Sequence, residues 1–231
     1  MDLYILLFVL LLFAHSVNGV TQVKVGLMLP HHHKYLVPKM GYSTSAAAAT
    51  IAAERIRKEN LLPNVNISFV WRWSECDEVL AAGMTTQLLL EEEVDVIIGP
   101  PCSITARVAG VMGNYYNKPL IGWGATSPEL SNFDRFPTMV RTMFSAGGLG
   151  QGLAEALRYF DWHRVAVLYN DDGERRKCFF IYEGLANYLE GGAAIDYKIQ
   201  TVYVQKVEGA RASEEQMDNF LDNFDSNARS E

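Results

Sequence analysis

Val94-Asp95-Val96-Ile97-Ile98-Gly99-Pro100-Pro101-Cys102-Ser103 decides the fold, because an apolar strand there runs into a corner that no strand continues through. Proline has no backbone N–H to give a ladder, so the strand reads Val94 to Ile98 and the chain turns at Gly99. A helix from Ser103 to Tyr116 and a short strand from Leu120 to Gly122 follow. Upstream, Asp77 to Glu92 carries Leu80, Met84, Leu88 and Leu89 at helical spacing, and Val65 to Trp73 reads as a strand. Earlier still come a strand from Val23 to Leu29 and a helix from Gly41 to Glu59. Ala46 to Ala49, Ile51, Ala52 and Ile56 of that helix offer a tight, small-residue face to a sheet. Strand and helix alternate with short connections, the signature of an α/β, doubly wound parallel sheet. Ligands of such a sheet meet the loops at the carboxyl ends of its strands.

After Ser127 the alternation loosens across Pro128 to Pro137, then resumes with an extended run Thr138 to Arg141. Gly150 to Phe160 reads as a helix, Arg164 to Tyr169 as a strand, Phe179 to Leu189 as a helix and Asp196 to Val204 as a strand. Ser213-Glu214-Glu215-Gln216 fits a capping box, and Met217, Phe220, Leu221 and Phe224 then share one helical face. The expected organisation is a signal segment at 1–19, a first lobe at 20–142 and a partial second lobe at 143–231.

Composition narrows the function. A net charge of −7 without a basic stripe argues against nucleic acid or an anionic membrane surface as partner. The uncharged run Leu3 to Ala14, followed by Val17-Asn18-Gly19, reads as a secretion signal cleaved after Gly19. It is shorter than the roughly 20 helical residues that span a bilayer. Three cysteines leave one odd. Cys76 and Cys102 are the natural pair, since both lie on one rim of the expected sheet and Cys178 belongs to a later unit. Strands flanking a central one are roughly 9.5 Å apart, so the two loops must lean together for a bridge to form.

Motifs for chemistry are missing. No Gly-x-Ser-x-Gly elbow and no phosphate loop with Gly-Lys-Ser or Gly-Lys-Thr occurs. Gly147-Gly148-Leu149-Gly150-Gln151-Gly152 invites a dinucleotide reading, but no strand leads directly into it, and it reads better as a flexible passage into the second lobe. His31-His32-His33 lacks the one-face spacing of a zinc site and reads as a solvated loop, so no metal and no cofactor is expected. Asn66-Ile67-Ser68 is an acceptor for N-glycosylation.

Four blocks in order, Gly99-Pro100-Pro101-Cys102, Pro119-Leu120-Ile121 with Ala125-Thr126-Ser127, Phe136-Pro137-Thr138-Met139-Val140-Arg141-Thr142, and Phe160-Asp161-Trp162-His163-Arg164-Val165-Ala166-Val167-Leu168-Tyr169, carry a resemblance. From about Val23 onward the chain resembles the ligand-binding region of the natriuretic factor receptor type, most of all the ectodomain of nematode receptor-type guanylate cyclases. The resemblance implies a type 1 periplasmic-binding-protein fold of two hinged lobes. It also implies a peptide or small-molecule ligand, a possible homodimer, and a place on the extracellular side of the plasma membrane. Guanylate cyclase activity would belong to domains of a full-length parent. The separation of Cys76 from Cys102 fits the first disulfide of the peptide receptors, and Cys178 stands where their second begins. Those receptors have a glycine before the second cysteine as part of a chloride site. Here Pro101 has no N–H to give, so no such site is expected.

Amino-acid-binding relatives of this fold use the loops after the third and fourth strands. Carried over by position, their ligand contacts are Ser103 and Thr105 at a helix start and Ala125, Thr126 and Ser127 in the next loop. A helix start suits a carboxylate or another anion. For Ser103 the first reading is the cap of its own helix, ahead of a ligand contact. Trp123 stands beside these loops. An amino-acid or solute-binding protein is therefore the alternative to a peptide receptor, and a truncated product without function of its own is another.

Overall fold

In the computed structural model, the described residues are 19–171, 177–190, 199–208 and 213–227. The signal run up to residue 18, Arg175-Arg176 and the start of the strand read from Asp196 lie outside them.

Alternation has built the parallel layer expected of it. Strands β1 (Thr21–Leu29), β2 (Val65–Trp73), β3 (Val96–Ile98), β4 (Leu120–Gly122) and β5 (Met139–Arg141) are all parallel, in the order β2-β1-β3-β4-β5. Between them run α1 (Val37–Met40), α2 (Tyr42–Lys58), α3 (Glu78–Thr86) and α4 (Ser103–Tyr115). Helix α3 continues as a π-helical turn at Gln87–Glu91. A core of Met28, Leu88, Ile97, Ala106, Leu120, Phe136 and Met139 fills one side of the sheet. The chain leaves β1 toward one edge and returns to β3 on its other side. That reversal opens a crevice outside the carboxyl ends of β1 and β3.

A second parallel pair, β6 (Arg164–Asp171) and β7 (Gln200–Glu208), is flanked by α5 (Ala146–Tyr159), α6 (Lys177–Glu190) and α7 (Glu214–Asn227). The capping box of α7 is reciprocal: Gln216 N–H donates to Ser213 Oγ at 3.2 Å and Ser213 N–H to Gln216 Oε1 at 3.0 Å. Phe220 lies against Tyr203 of β7 at 5.9 Å, while Met217, Leu221 and Phe224 are exposed.

Two expectations are corrected. Helix α2 has no buried residue; Ala46, Ala49, Ala53 and Ile56 are half-covered, and Ala47, Ala48, Ile51 and Ala52 face outward. Successive residues turn by 100°, so four alanines in a row cover nearly the whole circumference and cannot share one face. The glycine run is not a flexible passage either. Helix α5 begins at Ala146 and contains all of it. The cause is close packing on α6: a Cβ on Gly150 would stand 2.2 Å from Leu185 N, and one on Gly184 2.4 Å from Gly147 O.

Candidate functional site

The site is built from four loops at the carboxyl ends of the strands. Beyond β2, the turn Ser74 to Asp77 closes through Asp77 N–H to Ser74 O at 2.9 Å, with Glu75 and Cys76 in the left-handed region at φ 47° and 58°. That reversal swings Cys76 across β1 to Cys102 at the end of β3, where the two form a disulfide with Cα atoms 5.6 Å apart. The same turn aims the Glu75 carboxylate at the loop after β1. His31 N–H donates to Oε1 at 2.8 Å, His33 N–H to Oε2 at 2.9 Å, and His32 N–H to both oxygens. Successive amides converging on one carboxylate form an anion-binding nest, filled here by the chain itself.

The histidine loop is therefore not simply solvated. His31 is half-buried and lies against Trp73 at 4.6 Å and Tyr42 at 5.6 Å, with Tyr42 also against Trp71. No metal-binding group of three or more such side chains occurs among the described residues.

Ser103 joins the loops after β3 and β4. Its Oγ accepts from Thr126 N–H and Ser127 N–H, both at 3.1 Å. The N-cap of α4 is Cys102, and no side chain caps this helix. The capping reading of Ser103 is thus replaced by a bond between loops. Thr105 is fully buried and donates to Cys102 O at 3.0 Å, and Ala125 is buried in the core cluster. Neither side chain reaches the rim. Thr126 and Ser127 are almost buried, and their backbones couple outward: Ala146 N–H, at the start of α5, donates to Thr126 O at 2.8 Å, and Arg141 Nη1 to Ser127 O at 2.9 Å. Arg141 also reaches Ser131 Oγ. Burial pushes its guanidinium below the ordinary arginine value.

Gly99 at φ 92° sets the corner itself; a Cβ there would meet Met28 O at 2.4 Å and Trp123 Nε1 at 3.6 Å. Only glycine fits such an approach.

A separate cavity of about 610 Å³ opens between the turn Pro128–Ser131, the start of α5 and the middle of α6. Ser131, Ser145, Gln151, Glu183, Asn187 and Tyr188 line it. Tyr188 OH donates to Glu155 on α5. That bond, helped by Arg158, holds the Glu155 carboxyl below the usual range and pushes the Tyr188 phenol up. Asn66 is exposed on β2 and donates through Nδ2 to Gln22 Oε1 at 2.7 Å.

A sequence profile of the receptor family ligand binding region matches residues 44–230. The chain belongs to this family. The receptor-type guanylate cyclase gcy-14 of Caenorhabditis elegans is 37% identical over 172 residues, covering 73% of the chain. The receptor-type guanylate cyclase gcy-20 of the same organism is 36% identical over 157 residues, covering 68%. The receptor-type guanylate cyclase gcy-19 of Caenorhabditis briggsae is 26% identical over 193 residues, covering 82%. The chain spans 16%, 14% and 16% of these relatives' own lengths. The five-stranded parallel sheet and the shorter second sheet accord with the fold of a receptor ligand-binding region.

In this ligand-binding region, Glu75 and Arg141 escaped the sequence reading. Arg141 stands in the block Phe136 to Thr142 and Glu75 in no motif, and the block does not show the role of Arg141, because each works through backbone atoms of distant segments. The only sequence signal for Glu75 was its place beside Cys76. Two substitutions separate these roles. Glu75→Ala leaves the amides of three successive histidines without their acceptor, and a loss of about 2 kcal/mol is expected from denaturant unfolding followed by tryptophan fluorescence. Ser103→Ala strips one acceptor from two amides and should cost about 1 kcal/mol in the same measurement.

Proposed function

We propose that the chain is the extracellular sensing region of a receptor-type guanylate cyclase, holding a peptide or small-molecule ligand without catalysing a reaction itself. The observation that carries this reading is the single hydroxyl of Ser103 tying the loops after β3 and β4 together at the carboxyl rim. Ser103, Thr126 and Ser127 are the ligand contacts, with Thr105 and Ala125 fixing the backbone beneath them. Residues 1–19 direct secretion, 20–142 form the first lobe, and 143–231 contribute to the second. In a full-length parent, which would be a single-pass membrane protein, the cyclase domains lie on the other side of the membrane. A homodimer is the assembly this reading favours.

Transmission follows from two bonds. Thr126 O holds the first residue of α5 and Ser127 O holds Arg141, so a ligand that moves this loop also moves the junction between lobes. A ligand shifts such an equilibrium only by its difference in affinity for the two arrangements.

A second reading, an amino-acid or solute-binding domain, is favoured by α4 beginning at Ser103, where free N–H groups suit a carboxylate. The test is thermal unfolding of the secreted chain with amino acids, small carboxylates and extracellular peptides. A rise with a peptide that Ser103→Ala abolishes supports the receptor reading. A rise with free amino acids moves the chain to the second, and no rise with any class overturns both. Asn66, exposed in its sequon, carries an N-linked glycan in this reading.

A further inference from the structure

We propose that the glycan on Asn66 closes the open edge of the first sheet and keeps two copies of the chain from pairing along β2. The inference rests on the extracellular reading, since only a secreted chain meets the glycosylating machinery.

Among the described residues, strand β2 is the outermost of its sheet and pairs only with β1. It is 9 residues long, whereas β5 at the opposite edge has 3. In a parallel pair, alternate residues turn their N–H and C=O groups away from the partner. Among the described residues no further main-chain bond takes up those groups along Asn66 to Trp73, and one side chain does, Arg72 Nη1 donating to Trp71 O at 2.9 Å. The run Val65-Asn66-Ile67-Ser68-Phe69-Val70-Trp71-Arg72-Trp73 is mostly β-branched and aromatic, with neither proline nor glycine. An edge of that kind templates pairing with another chain.

Among the described residues the usual protections are lacking. Register with β1 is continuous from Thr21↔Val65 to Leu29↔Trp73, so no bulge twists the edge away. The one charge, Arg72, is folded back onto Gln87 at 3.1 Å and Glu92 at 2.7 Å. What the strand offers to solvent at its start is Asn66 and Ser68, the two sequon positions that glycosylation needs.

Transfer joins the anomeric carbon of a lipid-pyrophosphate-linked oligosaccharide to Nδ2; the lipid pyrophosphate leaves, and one amide proton is lost to solvent. Asparagine Nδ2 carries two hydrogens, so the bond to Gln22 survives the modification. The sugar then stands beside the edge and excludes a second strand by its bulk.

The experiment secretes the full chain from eukaryotic cells and measures its mass by light scattering before and after endoglycosidase treatment. Asn66→Gln, Ser68→Ala and Ser68→Lys accompany it. All three abolish the sequon, while the last puts a charge on the edge. The expected result is at least a doubling of apparent mass on enzymatic removal, for Asn66→Gln and for Ser68→Ala, with Ser68→Lys matching the glycosylated protein. A secreted chain with unmodified Asn66, or aglycosyl forms of unchanged mass, overturns the proposal and leaves the extracellular reading standing. Retention of the chain in the cytosol overturns that reading instead.

Discussion

Gly150→Ala is expected to destabilise the packing of α5 on α6 by about 3 kcal/mol or more, although alanine is the better helix former by about 1 kcal/mol. The added Cβ would stand 2.2 Å from Leu185 N and 2.4 Å from Ile181 O. Both are main-chain atoms inside α6, so relief requires one helix to move bodily from the other rather than a side chain to swing aside. Gly184→Ala should act alike, its Cβ meeting Gly147 O at 2.4 Å and Gly147 Cα at 2.5 Å from the opposite side. Separation of α5 from α6 would uncover Ala154, Leu157 and Leu185, which form a second, smaller core cluster. Gly152 is the internal control. It lies in the same helix, yet a Cβ there meets nothing within 4 Å, so Gly152→Ala should stabilise by roughly 0.5 to 1 kcal/mol. Denaturant unfolding and amide hydrogen exchange across α5 and α6 read both effects. Equal behaviour of Gly150→Ala and Gly152→Ala would remove close packing as the reason for the glycine run.

That glycine run also marks where sequence reasoning stops. The strand Val94 to Ile98, the helix after Cys102 and the capping box at Ser213 were legible because each rests on local rules: period, proline and reciprocal side-chain caps. β3 nevertheless starts two residues later than its apolar run, at Val96: Val94 still gives its N–H back to Leu88 O of the π-helical turn, and Asp95 is the first to reach β1, through Lys24 O. A glycine cluster has two opposite meanings, freedom or contact, and only the position of α6 distinguishes them. Site residues divide in the same way. That the loops of Ser103, Thr126 and Ser127 lie at one rim was legible from the order of the strands, whereas the burial of Thr105 and Ala125 depends on how far α4 and the loop after β4 sink into the core. Glu75 gave no signal beyond its place beside Cys76, since its partners are amides 42 to 44 positions earlier in the chain.

Replacing Cys76 and Cys102 together by serine is expected to cost roughly 3.5 kcal/mol, the loop-closure entropy of a bridge between residues 26 apart, or about a 400-fold fall in the folding constant. Cys178 is an exposed free thiol, so the comparison belongs in a Cys178→Ser background where thiol exchange cannot blur it. The more telling quantity is the coupling with Glu75. With the bridge in place, the left-handed turn at Glu75 and Cys76 is held over β1 and its carboxylate is delivered to the amides of His31, His32 and His33. Without the bridge, the same contact must itself fix the turn, so Glu75→Ala should lose much of its effect. A double-mutant cycle measures this directly. If the bridge positions the carboxylate, removing both sulfurs and Glu75 together will cost clearly less than the separate losses added. Simple additivity would mean that the turn stands without its bridge, and that the disulfide acts on the unfolded chain alone.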